Sequence, residues 1–227
     1  MELEIVYSDA YLVAINKPHG LLVHRTKMAA DADEFALQLL RDQIGQKVYP
    51  AHRIDRKTAG VLLFSLNEEV DRLMKSSFAD RQVDKVYHAI VRGYTEDSGI
   101  IDYPLRRDDG LSQEAVTTYK QLGKTEIPLA FGAHQSSRYS LLAIKPETGR
   151  MHQIRKHMAH INHPIIGDRP HGCNKQNKLF KEKWQMDSMM LHAKTLSFKH
   201  PVTKTIINIE ASYSEEFLRT LSLLSLH

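Results

Sequence analysis

Among the 227 residues there is a single cysteine, Cys173, so no disulfide can close within the chain and no Cys-rich metal site can form. A lone thiol near Lys175 without an evident base fits an inert side chain in a reducing cytoplasm. Long hydrophobic runs are missing too: none approaches the roughly 20 residues of a membrane span. The first residues, Met1-Glu-Leu-Glu-Ile-Val-Tyr7, are acidic and β-like, which does not suit a signal peptide. There is no P-loop and no Gly-x-Gly-x-x-Gly, so neither of these phosphate cradles is available. Four histidines, His152, His157, His160 and His163, invite a metal, but their spacings do not put two ligands on one helical face with an acid between them. Contacts to nucleic acid or water suit them better. No internal repeat, low-complexity tract or linker divides the sequence, which reads as one domain over residues 1–227.

The apolar content is 42% and the charged content 26%, ordinary for a soluble globular protein. The net charge is +4, and it is unevenly placed. From Arg150 to Lys183 the only acids are Asp168 and Glu182, against eight lysines and arginines and five histidines. Such a patch suits a polyanion, RNA or DNA, as well as it suits a solvated face.

Alternation at Val83–Arg92, an apolar run at Val61–Leu66 and strand-like composition at Glu4–Tyr7, Tyr11–Asn16, Ala115–Leu122, Arg138–Ile144, Met189–Phe198 and Thr205–Glu210 predict strands. The 3.6-residue period predicts helices over Asp33–Ile44, after an Asn67 cap, over Arg150–Ile161, and after a Ser212/Glu215 capping box. Residues 96–111 and 167–188 lack either period, and the second is expected to be a long basic loop. Strands in hairpin-like runs with occasional helices point to an α+β domain with a mixed, mostly antiparallel sheet and flanking helices.

Three side chains could do chemistry. Asp55 lies in Ala51-His-Arg-Ile-Asp-Arg-Lys-Thr-Ala-Gly60, between Arg53 and Arg56, on a loop feeding an apolar strand. Flanking cations favour an ionised carboxylate, and the strand would hold it still, as a nucleophile or general base requires. The bland alternative is a surface loop whose charges neutralise one another. Tyr87, mid-strand, is either a packing residue or a platform beside a flat ring. Arg155 falls on the stripe formed by Met151, Ile154, Met158 and Ile161, where a cation must either snorkel to water or find a carboxylate; Asp55 is the candidate partner.

Taken together, these motifs resemble the RluA-type pseudouridine synthases. The likeness is carried by Asn16-Lys-Pro-His-Gly-Leu-Leu-Val23, by His52-Arg-Ile-Asp-Arg-Lys-Thr-Ala-Gly-Val-Leu-Leu63 (usually His-Arg-Leu-Asp-x-x-Thr-Ser-Gly), by Lys85-Val-Tyr87-His-Ala-Ile-Val-Arg-Gly93, and by Pro146-Glu-Thr-Gly-Arg-Met-His-Gln-Ile-Arg155 with His163-Pro-Ile-Ile-Gly-Asp168. Their order and spacing match over nearly the whole chain. Ile54 and Ala59 depart from the pattern without removing a reacting group. Leu22-Val-His24-Arg25, Arg41-Asp-Gln-Ile-Gly-Gln46, His171-Gly172 and Gln176-Asn177 are most similar to a tRNA-modifying group of that family, without the N-terminal RNA-binding domain of several ribosomal-RNA members.

The resemblance implies the pseudouridine synthase α+β fold with a central cleft, Asp55 as catalytic aspartate, Tyr87 packed on the target uracil, and Arg155 as ion-pair partner of Asp55. Arg53 would fill the space left by an extruded nucleotide. Arg56, Arg150, His152, Lys156, Lys175 and Lys178 would contact RNA. The expected substrate is uridine 65 in the T-stem of tRNA, with no cofactor, metal, membrane or protein partner, in a cytoplasmic monomer. A ribosomal-RNA synthase with the same site and a non-catalytic RNA-binding protein are the alternatives.

Overall fold

The computed structural model describes residues 1–24 and 34–226; Arg25 and Asp33 lie outside the described residues. In chain order the elements are β1 (Ile5–Ser8), β2 (Leu12–Lys17), α1 (Ala36–Ile44), β3 (Tyr49–Pro50), β4 (Ala59–Ser65), α2 (Glu68–Ala79) and β5 (Val83–Arg92). Then come β6 (Ser98–Asp102), β7 (Leu105–Arg106), β8 (Ser112–Gln113), β9 (Val116–Ile127), β10 (Ser137–Pro146), α3 (Gln153–His160), α4 (Asn174–Trp184), β11 (Leu191–Lys199), β12 (Ile206–Glu210) and α5 (Glu215–Leu223). This is an α+β chain. It packs as two compact units: Met1–Lys85 with Ala193–Tyr213, and Val86–His192 with Ser214 onward.

In the first unit the strands run β1-β2-β4-β11, with β3 on β4 and β12 on β11. β1/β2, β2/β4, β3/β4 and β11/β12 are antiparallel. Every residue of β4 is buried, and the strand alternation explains how. Val61 and Leu63 face one cluster with Val70 and Met74 of α2; Leu62 and Phe64 face another with Ala36 and Leu40 of α1. A strand covered on both faces reads as a continuous apolar run, and each such side chain contributes roughly 1.5–3 kcal/mol. The two helices have the expected ends. Asn67 Oδ1 accepts the Val70 N–H at 2.9 Å, and Gly45 closes α1 in the left-handed conformation at φ 67°.

The second unit is built on the order β5-β10-β9-β6, all antiparallel, with a β7/β8 hairpin. One local expectation is refined here and three need correction. Residues 96–111, read from the sequence as a loop or short extension, hold the edge strand Ser98–Asp102 paired with β9, whose solvent-exposed Ile100 hides its pattern. Residues 167–188 contain α4, whose stripe Gln176, Phe180 and Trp184 repeats every four residues. Gln176 donates to the Tyr139 hydroxyl at 2.6 Å, and Phe180 sits edge-on to Tyr139 and Trp184. The stripe escaped notice because one of its three members is polar. Helix α3 starts at Gln153, because His152 is left-handed at φ 56°; Met151 therefore falls outside the stripe and is exposed. The cap of α5 is Ser214, not Ser212, accepting the Phe217 N–H at 3.3 Å.

Candidate active site

Asp55 lies in the loop between β3 and β4, half-buried, with its carbonyl accepting the Thr58 N–H at 3.0 Å. Arg53 and Arg56 flank it, both exposed. The loop is clasped to the Lys17-Pro-His-Gly20 turn: the Gly20 N–H donates to Arg56 O at 2.9 Å, and Arg56 Nε donates back to Gly20 O at 3.0 Å.

At the centre of this clasp is Lys17, fully buried. Its Nζ donates to Leu21 O at 2.8 Å, Pro18 O at 2.9 Å and Arg56 O at 3.1 Å. Burial pushes Lys17 down to about 7, and the neighbouring Asp55 charge pulls it back up. Three carbonyl acceptors match the three donors of an ammonium; a neutral amine has one donor fewer. Lys17 therefore pins three backbone segments and supplies a buried positive charge beside Asp55. Sequence reasoning does not find it, since a lysine before Pro-His-Gly reads as a turn residue.

His52 anchors the other side of the loop. Its Nε2 accepts the Leu63 N–H at 3.1 Å, and its ring stacks on Phe78 at 4.7 Å. Burial, then the Lys85 charge, holds it down at about 3, so it is neutral and acts as an acceptor. Gly60, at the start of β4, is left-handed at φ 108°, and a Cβ there would lie 2.2 Å from Ala193 O. Only glycine lets β4 follow the loop so closely.

The remaining candidates belong to the second unit. Tyr87 is half-buried on β5, opposite Ile144 of β10. Arg155 is buried, so it does not snorkel. Its Nε and Nη2 donate to Asp168 Oδ2 and Oδ1, both at 2.8 Å. A carboxylate partner was anticipated; Asp168, at the end of His163-Pro-Ile-Ile-Gly-Asp168, was not named for that role. The turn before α3 is held by Gln153. Its Oε1 accepts the Thr148 hydroxyl at 2.6 Å and the Arg150 N–H at 3.0 Å, and its Nε2 donates to Val116 O at 2.9 Å.

Arg150 Nε donates to Glu114 O at 3.0 Å, and Lys156 stays near Arg106 O at 3.4 Å. With Arg106, Arg107 and the exposed Met151 they line a cavity of about 360 Å³. Lys175 and Lys178 are exposed on α4. The histidines have separate duties. His152 Nδ1 lies 3.0 Å from His171 Nε2. His157 is buried between the Thr117 hydroxyl and Tyr103 O, both at 2.9 Å. His160 stacks on Tyr103, and His163 Nδ1 meets Arg92 O at 2.9 Å.

The first unit thus holds a half-buried carboxylate beside a buried lysine, and the second holds a strand tyrosine and a buried arginine; each is a side-chain type used in acid–base or nucleophilic chemistry on a flat ring. Residues 11–160 match the family described as RNA pseudouridylate synthase. The chain is 46% identical over 231 residues to tRNA pseudouridine synthase C of Vibrio cholerae, covering 97% of this chain and 95% of that one. It is 44% identical to the Yersinia pestis protein of the same name, covering 97% and 90%. Among solved structures, human RNA pseudouridylate synthase domain containing 4 superimposes with a TM-score of 0.75 at 26% identity, over 99% of this chain and 94% of that one. The chain thus belongs to the RNA pseudouridylate synthase family, in its RluA-type branch, and the members of that family are isomerases.

Proposed function

We propose that this chain isomerises a uridine of tRNA, uridine 65 of the T-stem, to pseudouridine, with the Asp55 carboxylate as the reacting group. The N1–C1′ bond breaks, the uracil rotates, and C5 bonds to C1′. The target nucleotide must leave the stack first, which costs a few kcal/mol, offset by protein contacts. Arg53 enters the vacated space. Asp55 then attacks C6 of the uracil, attacks C1′, or removes the 2′ proton; Tyr87 packs on the ring, and Arg155 is the partner for the Asp55 charge. Arg56, Arg150, His152, Lys156, Lys175 and Lys178 contact the RNA. No electron or phosphoryl group moves, so the reaction calls for neither cofactor nor metal. A single catalytic domain working as a cytoplasmic monomer completes the reading.

The observation that carries it is the identity near 45% to proteins named tRNA pseudouridine synthase C, spread over nearly the full length of both chains. Supporting it is the Lys17 clasp, which holds the Asp55 loop against the Lys17-Pro-His-Gly20 turn. The test is to incubate the enzyme with unmodified tRNA and unmodified ribosomal RNA and to map pseudouridine in each. Formation at position 65 of tRNA alone is the expected result. Formation only in ribosomal RNA would reassign the substrate, and formation in neither would leave an RNA-binding protein.

A further inference from the structure

Asp168 closes a tight turn, with its N–H 3.3 Å from Ile165 O. Its carboxylate takes two nitrogens of Arg155, and both side chains are almost fully buried, 1% and 6% exposed. The turn is itself bracketed. Asn177 of α4 accepts the Gly167 N–H at 2.9 Å through Oδ1 and donates to Asp168 O at 2.8 Å through Nδ2. The His171 N–H approaches Asp168 Oδ1 at 3.4 Å. On its other side, Gly167 is left-handed at φ 81°, and a Cβ there would lie 2.1 Å from Ser188 O. The carboxylate's backbone is thus fixed before it meets the arginine.

We infer that Asp168 is a positioning residue for Arg155, and that Asn177 sets Asp168, so that helix α4 determines the plane of the guanidinium. This rests on the role proposed for Arg155. Two parallel N–H···O bonds tie the guanidinium plane to the carboxylate plane, an orientation that a single contact or a lysine would not impose. Neutralising a buried charge needs neither that fork nor a helix residue gripping both sides of the turn. Asn177 also lies between Lys175 and Lys178 in the sequence, so RNA held by those lysines would load the helix that fixes the arginine.

The test measures kcat and KM on tRNA for Asp168→Asn, Asn177→Leu and Arg155→Ala, with a melting curve for each. Asp168→Asn should lower kcat about a hundredfold, the scale of a misplacement near 1 Å, and leave KM within about twofold. Asn177→Leu, which keeps the ion pair, should lower kcat about tenfold, and it carries the test if Asp168→Asn fails to fold. In an Arg155→Gly enzyme, added guanidinium ion should restore turnover, and the further change Asp168→Asn should abolish that rescue. Folded Asp168→Asn and Asn177→Leu enzymes with wild-type kcat, beside an inactive Arg155→Ala, would overturn this inference and leave the proposed function standing. An active Arg155→Ala would remove the role of Arg155 and the inference with it.

Discussion

Around Asp55 the chain builds with backbone: carbonyls of residues 18, 21 and 56 converge on one buried lysine, and a neutral histidine takes a strand N–H. Around Arg155 it builds with side chains: a carboxylate forks onto the guanidinium, and an asparagine from another helix grips the turn that presents it. In the first region the loop is defined by where the chain must go, and few side chains can vary without moving it. In the second, the position of one charge depends on the identity of a partner 13 residues away and of a third residue beyond it. The first arrangement suits a group that must not move at all. The second leaves an angle that other parts of the protein can set.

The sharpest way to break the comparison is to remove the charge at its centre. Asp55→Asn keeps the shape of the loop, and turnover should fall to the uncatalysed background while tRNA binding, measured by filter retention, survives. An Asp55→Asn enzyme that still forms pseudouridine would put the reacting group elsewhere, and the Lys17 clasp would be a structural feature only.

Backbone construction also predicts where the first region is brittle. Gly60→Ala drives a Cβ into the Ala193 carbonyl and strains a left-handed backbone. It should cost about 3 kcal/mol or more, read as a shift in the urea midpoint. Gly20 is left-handed too, at φ 87°, but nothing lies within 4 Å of its Cβ position. Gly20→Ala should cost only about 1 kcal/mol, the strain without the clash. Equal losses at the two positions would mean that the close approach to β11 is not what Gly60 serves.

Lys17→Met tests the clasp itself. It leaves three buried carbonyls without their donor and removes the positive charge beside Asp55. A destabilisation of about 2–4 kcal/mol is expected, together with a fall in kcat. A variant of wild-type stability would show that water takes over the three acceptors.

The same contrast decides what could be read from the sequence. Apart from the short β3, the strands and helices of the first unit were legible, because β4 carries the apolar run Val61–Phe64, Asn67 caps α2 and Gly45 closes α1. Asp55 was legible from its charged neighbours on a loop before such a strand. Lys17 was not: a lysine next to Pro-His-Gly reads as a turn residue, and its burial depends on three carbonyls that converge only in the folded loop. In the second unit, α3 and the burial of Arg155 were within reach, but Asp168 was not singled out, since nothing in a single sequence ties an aspartate to one arginine rather than another. Helix α4 was lost for a related reason. Its stripe begins with a glutamine ahead of two aromatics, and Gln176 counts as a buried residue only once the Tyr139 hydroxyl is there to receive it.

The lysines of α4 offer a milder test of the second region. Replacing Lys175, Lys178 and Lys181 together with glutamine should weaken tRNA binding and flatten its salt dependence. Full release of one counterion per lysine would lower the slope by nearly three. Lys178 is close to Glu182 at 3.6 Å and Lys181 pairs with Asp187 at 3.0 Å, so a reduction nearer two is expected. An unchanged slope would take α4 out of the RNA interface, leaving it only the positioning role.

The smallest effect concerns the histidine under the Asp55 loop. An unfolded chain protonates His52 below about pH 6.5, whereas the folded chain holds it neutral down to about 3. Between those values unfolding takes up a proton, so this contribution to stability is complete above pH 6.5 and is lost as the pH falls toward 3. His52→Gln keeps an acceptor for the Leu63 N–H but cannot titrate. Urea midpoints at pH 7.5 and pH 5 should therefore fall further apart in the wild type than in His52→Gln. An equal drop in both would mean that His52 takes up its proton without leaving its place, with the Leu63 N–H redirected to another acceptor.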